Sequence, residues 1–265
     1  MADLKFLLSN PPHADPDPAA AAGVFGLSTA EARIKLNFAG PDVWFAGEDS
    51  EDLEAKVADL RQLGARVSIT DAAAVADLSK RLTLRRFAFG DRKLELETGG
   101  GETLAIPYDW SAIAVVCRPM QRETIDRKTV RQAARAASPN KSHRQQARMS
   151  LSDAKTQADE SFVDLYFTDG TNVHRVTIRP GTVDYSSLGD AKAVTERENL
   201  VALIAELGNR FDNLIEDRRL ENAPAPHITL LGNRTLRGHL ETVDPSLKDV
   251  DDYDLMSRFA FISAR

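Results

Sequence analysis

Residues 82–117 read LTLRRFAFGDRKLELETGGGETLAIPYDWSAIAVVC, and the fold class follows from them. Leu82, Leu84, Phe87 and Phe89 mark one strand, and the change of parity at Arg85–Arg86 predicts a bulge. Gly90-Asp91 is a tight turn. Leu94 and Leu96 alternate with Lys93, Glu95 and Glu97, which is the period of a half-buried strand. Gly99, Gly100 and Gly101 make the next turn, and Leu104 and Ile106 start a third strand. Ile113 to Cys117 (IAVVC) is almost wholly apolar and reads as a fourth strand. Four strands on short turns predict an antiparallel meander.

Downstream, FVDLYF (Phe162 to Phe167) places Phe162, Asp164 and Tyr166 on one face and Val163, Leu165 and Phe167 on the other. Asp169-Gly170 signals a turn into VHRVTI (Val173 to Ile178), and Thr182 to Tyr185 has the look of a further short strand. Thr195 and Glu198 form a capping box. Leu200, Leu203, Ile204, Leu207, Phe211, Leu214 and Ile215 then lie on one helical stripe. Four strands, an insertion, about three strands and a long amphipathic helix is the element order of a pleckstrin-homology-like barrel. That likeness, covering residues 82–220, is one of topology, and it implies a fold without implying a task.

Upstream, Leu4 to Leu8 (LKFLL) is a short apolar run stopped by Asn10, Pro11 and Pro12. Asp17 caps a helix with Pro18 at its first position, and Ser28 with Glu31 caps a second. Val43 to Ala46 is a strand, and Asp49 or Ser50 opens a third helix with Leu53, Val57, Leu60 and Leu63 on one face. Gly64 ends that helix, and Val67 and Ile69 alternate as a last strand. The order is βααβαβ. The stretch GLSTAEARIKLN (Gly26 to Asn37) with DSEDLEAKVADLRQLGARVSI (Asp49 to Ile69) resembles the C-terminal domain of the bacterial ribosomal stalk protein, whose fold the Clp-protease adaptor shares. The stalk domain binds translation factors through a lysine-bearing helix. The matching residues Asp17 to Gly26 (DPAAAAGVFG) hold no base, so the resemblance implies an interaction scaffold and not that partner.

The expected fold class is therefore α+β. Residues 1–71 form a small βααβαβ domain, 72–81 a connector with a short helix, and 82–220 an antiparallel PH-like β-barrel with a C-terminal capping helix. Residues 221–265 form an acidic tail with an apolar end. Within the tail, Ile228 to Leu231 suggests an extra strand. Tyr253, Leu255, Met256, Phe259, Phe261 and Ile262 are too many large apolar groups for an exposed end, so it should dock, preferably on its own chain.

The 265 residues carry a formal charge of −6, which disfavours whole-molecule attraction to nucleic acid or anionic lipid. No apolar run reaches the roughly 18–20 residues of a membrane span, and the N-terminal stretch is too short for a signal peptide. A single cysteine, Cys117, excludes an internal disulfide and a cysteine-rich zinc site, and a cytoplasmic location is expected. Charge is nevertheless segregated. In 121–150, Arg122, Arg127, Lys128, Arg131, Arg135, Lys141, Arg144 and Arg148 oppose Glu123 and Asp126, a local charge of +6. In 241–254 the local charge is −5. The eight cations are the candidate site for an anion or acidic partner. Three readings stay open: a solvated loop, contact with an acidic protein or with the chain's own tail 241–265, and contact with nucleic acid or lipid.

No histidine pair has metal-ligand spacing, and no phosphate loop, dinucleotide fingerprint or nucleophile elbow is present. The glycine triplet precedes a strand, which makes it a hairpin turn and not an anion cradle. Cys117 reads as a buried inert thiol, and His174 as a hydrogen-bonded strand histidine. No catalytic, metal or cofactor residue is named, and no cofactor is expected. The leading expectation is a non-enzymatic adaptor for a protein partner. The second is a nucleic-acid- or ribosome-associated protein that uses residues 122–148.

Overall fold

The computed structural model describes residues 4–48, 51–117, 162–221, 230–231, 234–235 and 252–265. The basic block and most of the acidic block lie outside these residues, as do the expected caps Asp49 and Ser50. The fold is mixed α+β, with a three-stranded and a seven-stranded sheet. No described helix is long and apolar enough to cross a membrane.

The N-terminal residues follow the expected order: β1 (Leu4–Ser9), α1 (Pro18–Phe25), α2 (Thr29–Asn37), β2 (Asp42–Glu48), α3 (Glu51–Gln62) and β3 (Val67–Asp71). Local chemistry sets the ends. The Asp17 side chain accepts from Ala19 N at 3.0 Å, and Gly26 closes α1 in the left-handed region. Ser28 and Glu31 cap each other at α2, and the Ser28 hydrogen bonds hold the Glu31 carboxyl below its usual range. The sheet order is β2-β1-β3, with both pairings antiparallel. Central β1 is buried on both faces at Leu4 and Phe6 to Ser9, with Lys5 partly buried and paired with Asp71. Leu7 packs with Leu53, Val57 and Leu60 of α3, while Leu4, Phe6 and Leu8 face a second core.

Helix α4 (Ala72–Asp77) is the connector. Beyond it come β4 (Leu82–Phe89), β5 (Lys93–Thr98), β6 (Thr103–Pro107), β7 (Ser111–Cys117), β8 (Phe162–Thr168), β9 (Val173–Ile178), α5 (Glu196–Arg210) and β10 (Leu214–Asp217). The sheet runs β10-β7-β8-β9-β4-β5-β6. The bulge at Leu84–Arg86 is present, and so is the glycine hairpin turn.

Four expectations change. The four-stranded meander stops at its third strand: β6 is an edge, while β7 lies between β8 and β10. Pairing of β4 with β9 inserts the later hairpin between them. Among the described residues the sheet is open, so the expected barrel closure is not seen. Helix α5 ends at Arg210, and Leu214 and Ile215 belong to β10, which adds to β7 in parallel. Backbone hydrogen bonding to a distant strand wins there over the helical spacing, and Ile215 is left half exposed. Finally, residues 180–182 form a short 3₁₀ turn, and only Asp184 makes a bridge, to Arg86.

The apolar tail end is helix α6 (Asp252–Ala264), which follows a small pair, β11 (Leu230–Leu231) with β12 (Arg234–Thr235). Strands β7 and β8 are covered on both faces. Ala112, Ala114, Val116, Val163, Leu165 and Phe167 pack in one core with Leu200, Leu203, Ile204 and Leu207 of α5. Ile113, Val115, Cys117 and Tyr166 pack in another with Met256, Phe259 and Phe261 of α6 and with Phe6 and Leu8 of β1. Helix α6 is thus the shared core element between the two sheets. The tail end docks on its own chain, as its apolar content demands. Its described part lies on strands, and its expected seat, the basic insertion, is outside the described residues.

Candidate functional site: a buried charge cluster under the C-terminal helix

The 162/164/166 face of β8 meets α6. In the β8–β9 register Tyr166 is opposite Arg175 and Asp164 is opposite Thr177, so Asp164 and Arg175 are diagonal neighbours on one face. Asp164 is 0% and Arg175 2% exposed. Arg175 Nη2 donates to Asp164 Oδ2 at 2.6 Å and forms an ion pair with Asp254 of α6. Its Nη1 donates to Leu78 O at 3.3 Å, and its guanidinium lies 5.5 Å from the Tyr166 ring centre.

Helical spacing brings Asp254, Ser257 and Arg258 onto this face of α6. Arg258 pairs with Asp254 and donates from Nη1 to Val75 O at 3.1 Å. Ser257 Oγ donates to Asp164 Oδ2 at 2.7 Å and stands 2.9 Å from the Tyr166 hydroxyl. Thr177 donates to Asp164 Oδ1, and Arg81 approaches the same oxygen at 3.5 Å. Arg81 is also 3.9 Å from Asp254 and 5.1 Å from the Phe162 ring centre. Residues from four elements and the α4–β4 connection therefore meet in one desolvated cluster.

Burial and charge set the protonation of Asp164, Arg175, Cys117 and Tyr166. Burial alone would raise the Asp164 pKa, but Arg175 and Arg81 outweigh it and hold the carboxyl below its usual range. Burial would lower the Arg175 pKa, but the Asp164 carboxylate and then Asp254 outweigh it and raise it above its usual value. Burial and then Asp164 push the Cys117 thiol well up, and they push the Tyr166 phenol up as well. Near neutral pH the cluster holds an ionised carboxylate, charged guanidiniums, a protonated thiol and a protonated phenol. Cys117 is buried, as expected, and is no nucleophile in this state.

The other expectations fall as follows. His174 is a strand residue, as expected, and its ring stacks on Trp110 with centres 5.7 Å apart. Among the described residues no three His, Cys, Asp or Glu side chains group to hold a metal. The candidate cations Arg122, Arg127, Lys128, Arg131, Arg135, Lys141, Arg144 and Arg148 lie outside the described residues. What the structure does give is the root of their segment: Cys117 and Phe162 are paired across β7–β8.

Sequence reasoning missed the cluster. Its signal was an Asp on the aromatic face of FVDLYF, together with an Asp, a Ser and an Arg within the apolar run of the last helix. Compared with known protein families, curated proteins and solved structures, the chain matches none.

Proposed function

We propose that the protein is a non-enzymatic cytoplasmic interaction protein, an adaptor in which a stalk-like lobe and a PH-like lobe are joined by the chain's own C-terminal helix. The observation that carries this reading is the fixed protonation of the buried cluster. General acid–base work needs a group whose pKa lies near the working pH and that can reach a substrate. Asp164, Tyr166 and Cys117 are all shifted away from neutrality, and all are buried against their partners. This chemistry suits a joint between sheets better than a turnover site. The surfaces of the two lobes are then what the protein offers to others. The test is affinity capture with the intact chain, followed by reconstitution from purified components. A saturable complex of fixed stoichiometry is expected. Substrate turnover by the purified chain, with no complex formed, overturns the reading.

One observation favours a second reading, nucleic-acid or ribosome association through residues 122–148. The basic segment leaves and rejoins the sheet at one paired position, Cys117 with Phe162, so it can carry a binding role without altering the strands that flank it. If six of its cations meet duplex phosphates, binding should fall with salt at a log–log slope of about −5. A slope near zero removes this reading.

A further inference from the structure

We infer that the outer edge of β6 is an interface between two copies of this chain, paired antiparallel about a two-fold axis at Leu104, so that two seven-stranded sheets join into one. Strand β6 ends the sheet order, and among the described residues no strand pairs with its outer side. A bare edge invites another strand, and folds usually guard one with charge. The other edges of the two sheets carry carboxylates: Asp42 and Glu48 on β2, Asp71 on β3, Glu216 and Asp217 on β10. Strand β6 reads TLAIP and has no ionisable residue.

The register of β5 with β6 decides which backbone groups face outward. Thr98 N donates to Glu102 O at 2.9 Å, and Tyr108 N donates to Arg92 O at 3.1 Å. With Leu96 opposite Leu104 and Leu94 opposite Ile106, the even-numbered residues of β6 bond to β5. Thr103, Ala105 and Pro107 therefore turn their backbone groups away from the sheet. Pro107 has no N–H, and its carbonyl accepts from Trp110 N at 3.3 Å. Thr103 and Ala105 are exposed, and their outward N–H and C=O groups have no partner among the described residues.

These groups complement their own copy, which is what selects a second copy over a foreign strand. With Thr103 of one chain opposite Ala105 of the other, both residues exchange N–H and C=O bonds in full. A shift one way sets Thr103 opposite Pro107, which cannot donate. A shift the other way sets Ala105 opposite Gly101, whose N–H is already given to Thr98 O at 2.9 Å. One patch then serves both sides of a two-fold axis. In the favoured register Leu104 faces Leu104 of the second copy as a non-hydrogen-bonded pair, the closer of the two kinds. Leu104 is half-buried at the margin of the α5 core, so this pair extends that core across the axis. Thr103 and Ala105, on the other face, bring no charge to the seam.

Sedimentation of the full chain from about 10 µM to about 1 mM, with residue-resolved amide exchange, tests this. The contact is small, so a dimer with a dissociation constant on the order of 0.1 mM is expected. The Thr103 and Ala105 amides should exchange more slowly as concentration rises, while those of Leu104 and Ile106, bonded to β5, stay protected throughout. Ala105→Pro removes an outward N–H and no bond to β5, so it should abolish the dimer and leave the strand in place. Leu104→Lys and Leu104→Glu should each be monomeric, because like charges then face each other at the axis. Their mixture should dimerise, which misfolded variants would not do. A parent chain still monomeric at about 1 mM overturns the inference. So does a dimer that Ala105→Pro leaves intact, or one that forms without slowing exchange at Thr103 and Ala105. Protection of those amides by a foreign protein, on a chain that stays monomeric alone, assigns the edge to a partner strand and overturns the second copy equally.

Discussion

Ser257 Oγ donates to Asp164 Oδ2 at 2.7 Å, joining helix α6 to strand β8 across 93 positions of chain. An ionised carboxylate only accepts, so the Ser257 proton is committed to it. The Tyr166 hydroxyl, 2.9 Å from Ser257 Oγ, must then be the donor to that oxygen. The direction Tyr166 to Ser257 to Asp164 follows from the charge on Asp164. Beside it the Tyr166 ring stacks on Phe261, with centres 4.3 Å apart and planes at 12°. One strand residue thus holds α6 by its face and by its hydroxyl.

Ser257→Ala should therefore cost more than one exposed hydrogen bond. It leaves the Tyr166 hydroxyl without its acceptor and removes one of the donors to Asp164, in a site closed to water. The expected loss is about 1–3 kcal/mol, measured by urea unfolding with an unchanged slope. A loss within experimental error would mean that the relay contributes nothing.

Arg175→Met tests the ion pairs. Removing one member of a buried set strands the others, and the expected cost is about 3–5 kcal/mol. Adding Asp164→Asn to that variant should recover part of the loss, because the stranded charge is gone. Strict additivity of the two substitutions would show that they do not act on each other.

Some of this was legible in the residues and some was not, for a physical reason. Ser28 with Glu31, Asp17 with Pro18, and Thr195 with Glu198 announce helix starts because capping is local. IAVVC announces a strand, and β7 has α5 on one face and α6 on the other. Strand order is not local. The short link from β6 to β7 resembles a hairpin, yet β4 takes β9 as its neighbour and separates them. Leu214 and Ile215 continue the spacing of α5, but β7 offers them a hydrogen-bonding edge. Asp164 and Arg175 each look like an ordinary strand polar residue. Only the β8–β9 register and the arrival of Asp254, Ser257 and Arg258 make them a site.

Acid should weaken the joint, with a sign set by Asp164. Its folded pKa lies below its unfolded value, so its contribution is fully present above about pH 4. That contribution is lost as pH falls through the lower folded value. His13 is also lowered, by burial and then by Arg66, so its contribution begins to fall earlier, below about pH 6.5. Stability against pH should show one drop in the His13 range and another below the Asp range. Asp164→Asn should remove the second drop and leave the first. Retention of both drops in that variant would reassign the acid response to other carboxyls.

Cys117 gives a chemical readout of the same joint. Its thiol is buried, and burial with the Asp164 charge keeps it protonated. A disulfide reagent at pH 8 should react only as fast as the chain opens, and immediately in denaturant. Ser257→Ala should speed the native-state reaction in proportion to its loss of stability, if opening exposes the thiol. Reaction of the folded parent at the rate of a free thiol would place Cys117 on an accessible surface.

Helix α6 brings Met256, Phe259 and Phe261 into one core with Phe6 and Leu8 of the small sheet and with Ile113, Val115 and Tyr166 of the large one. The two sheets should therefore unfold as one through the last helix. Differential scanning calorimetry of the full chain, beside a chain ending at residue 251, tests this most directly. The full chain should melt in one transition whose calorimetric and van't Hoff enthalpies agree, and the truncated chain should melt lower in two separated or broadened transitions. A truncated chain that keeps the single transition and the melting temperature of the full chain would contradict it.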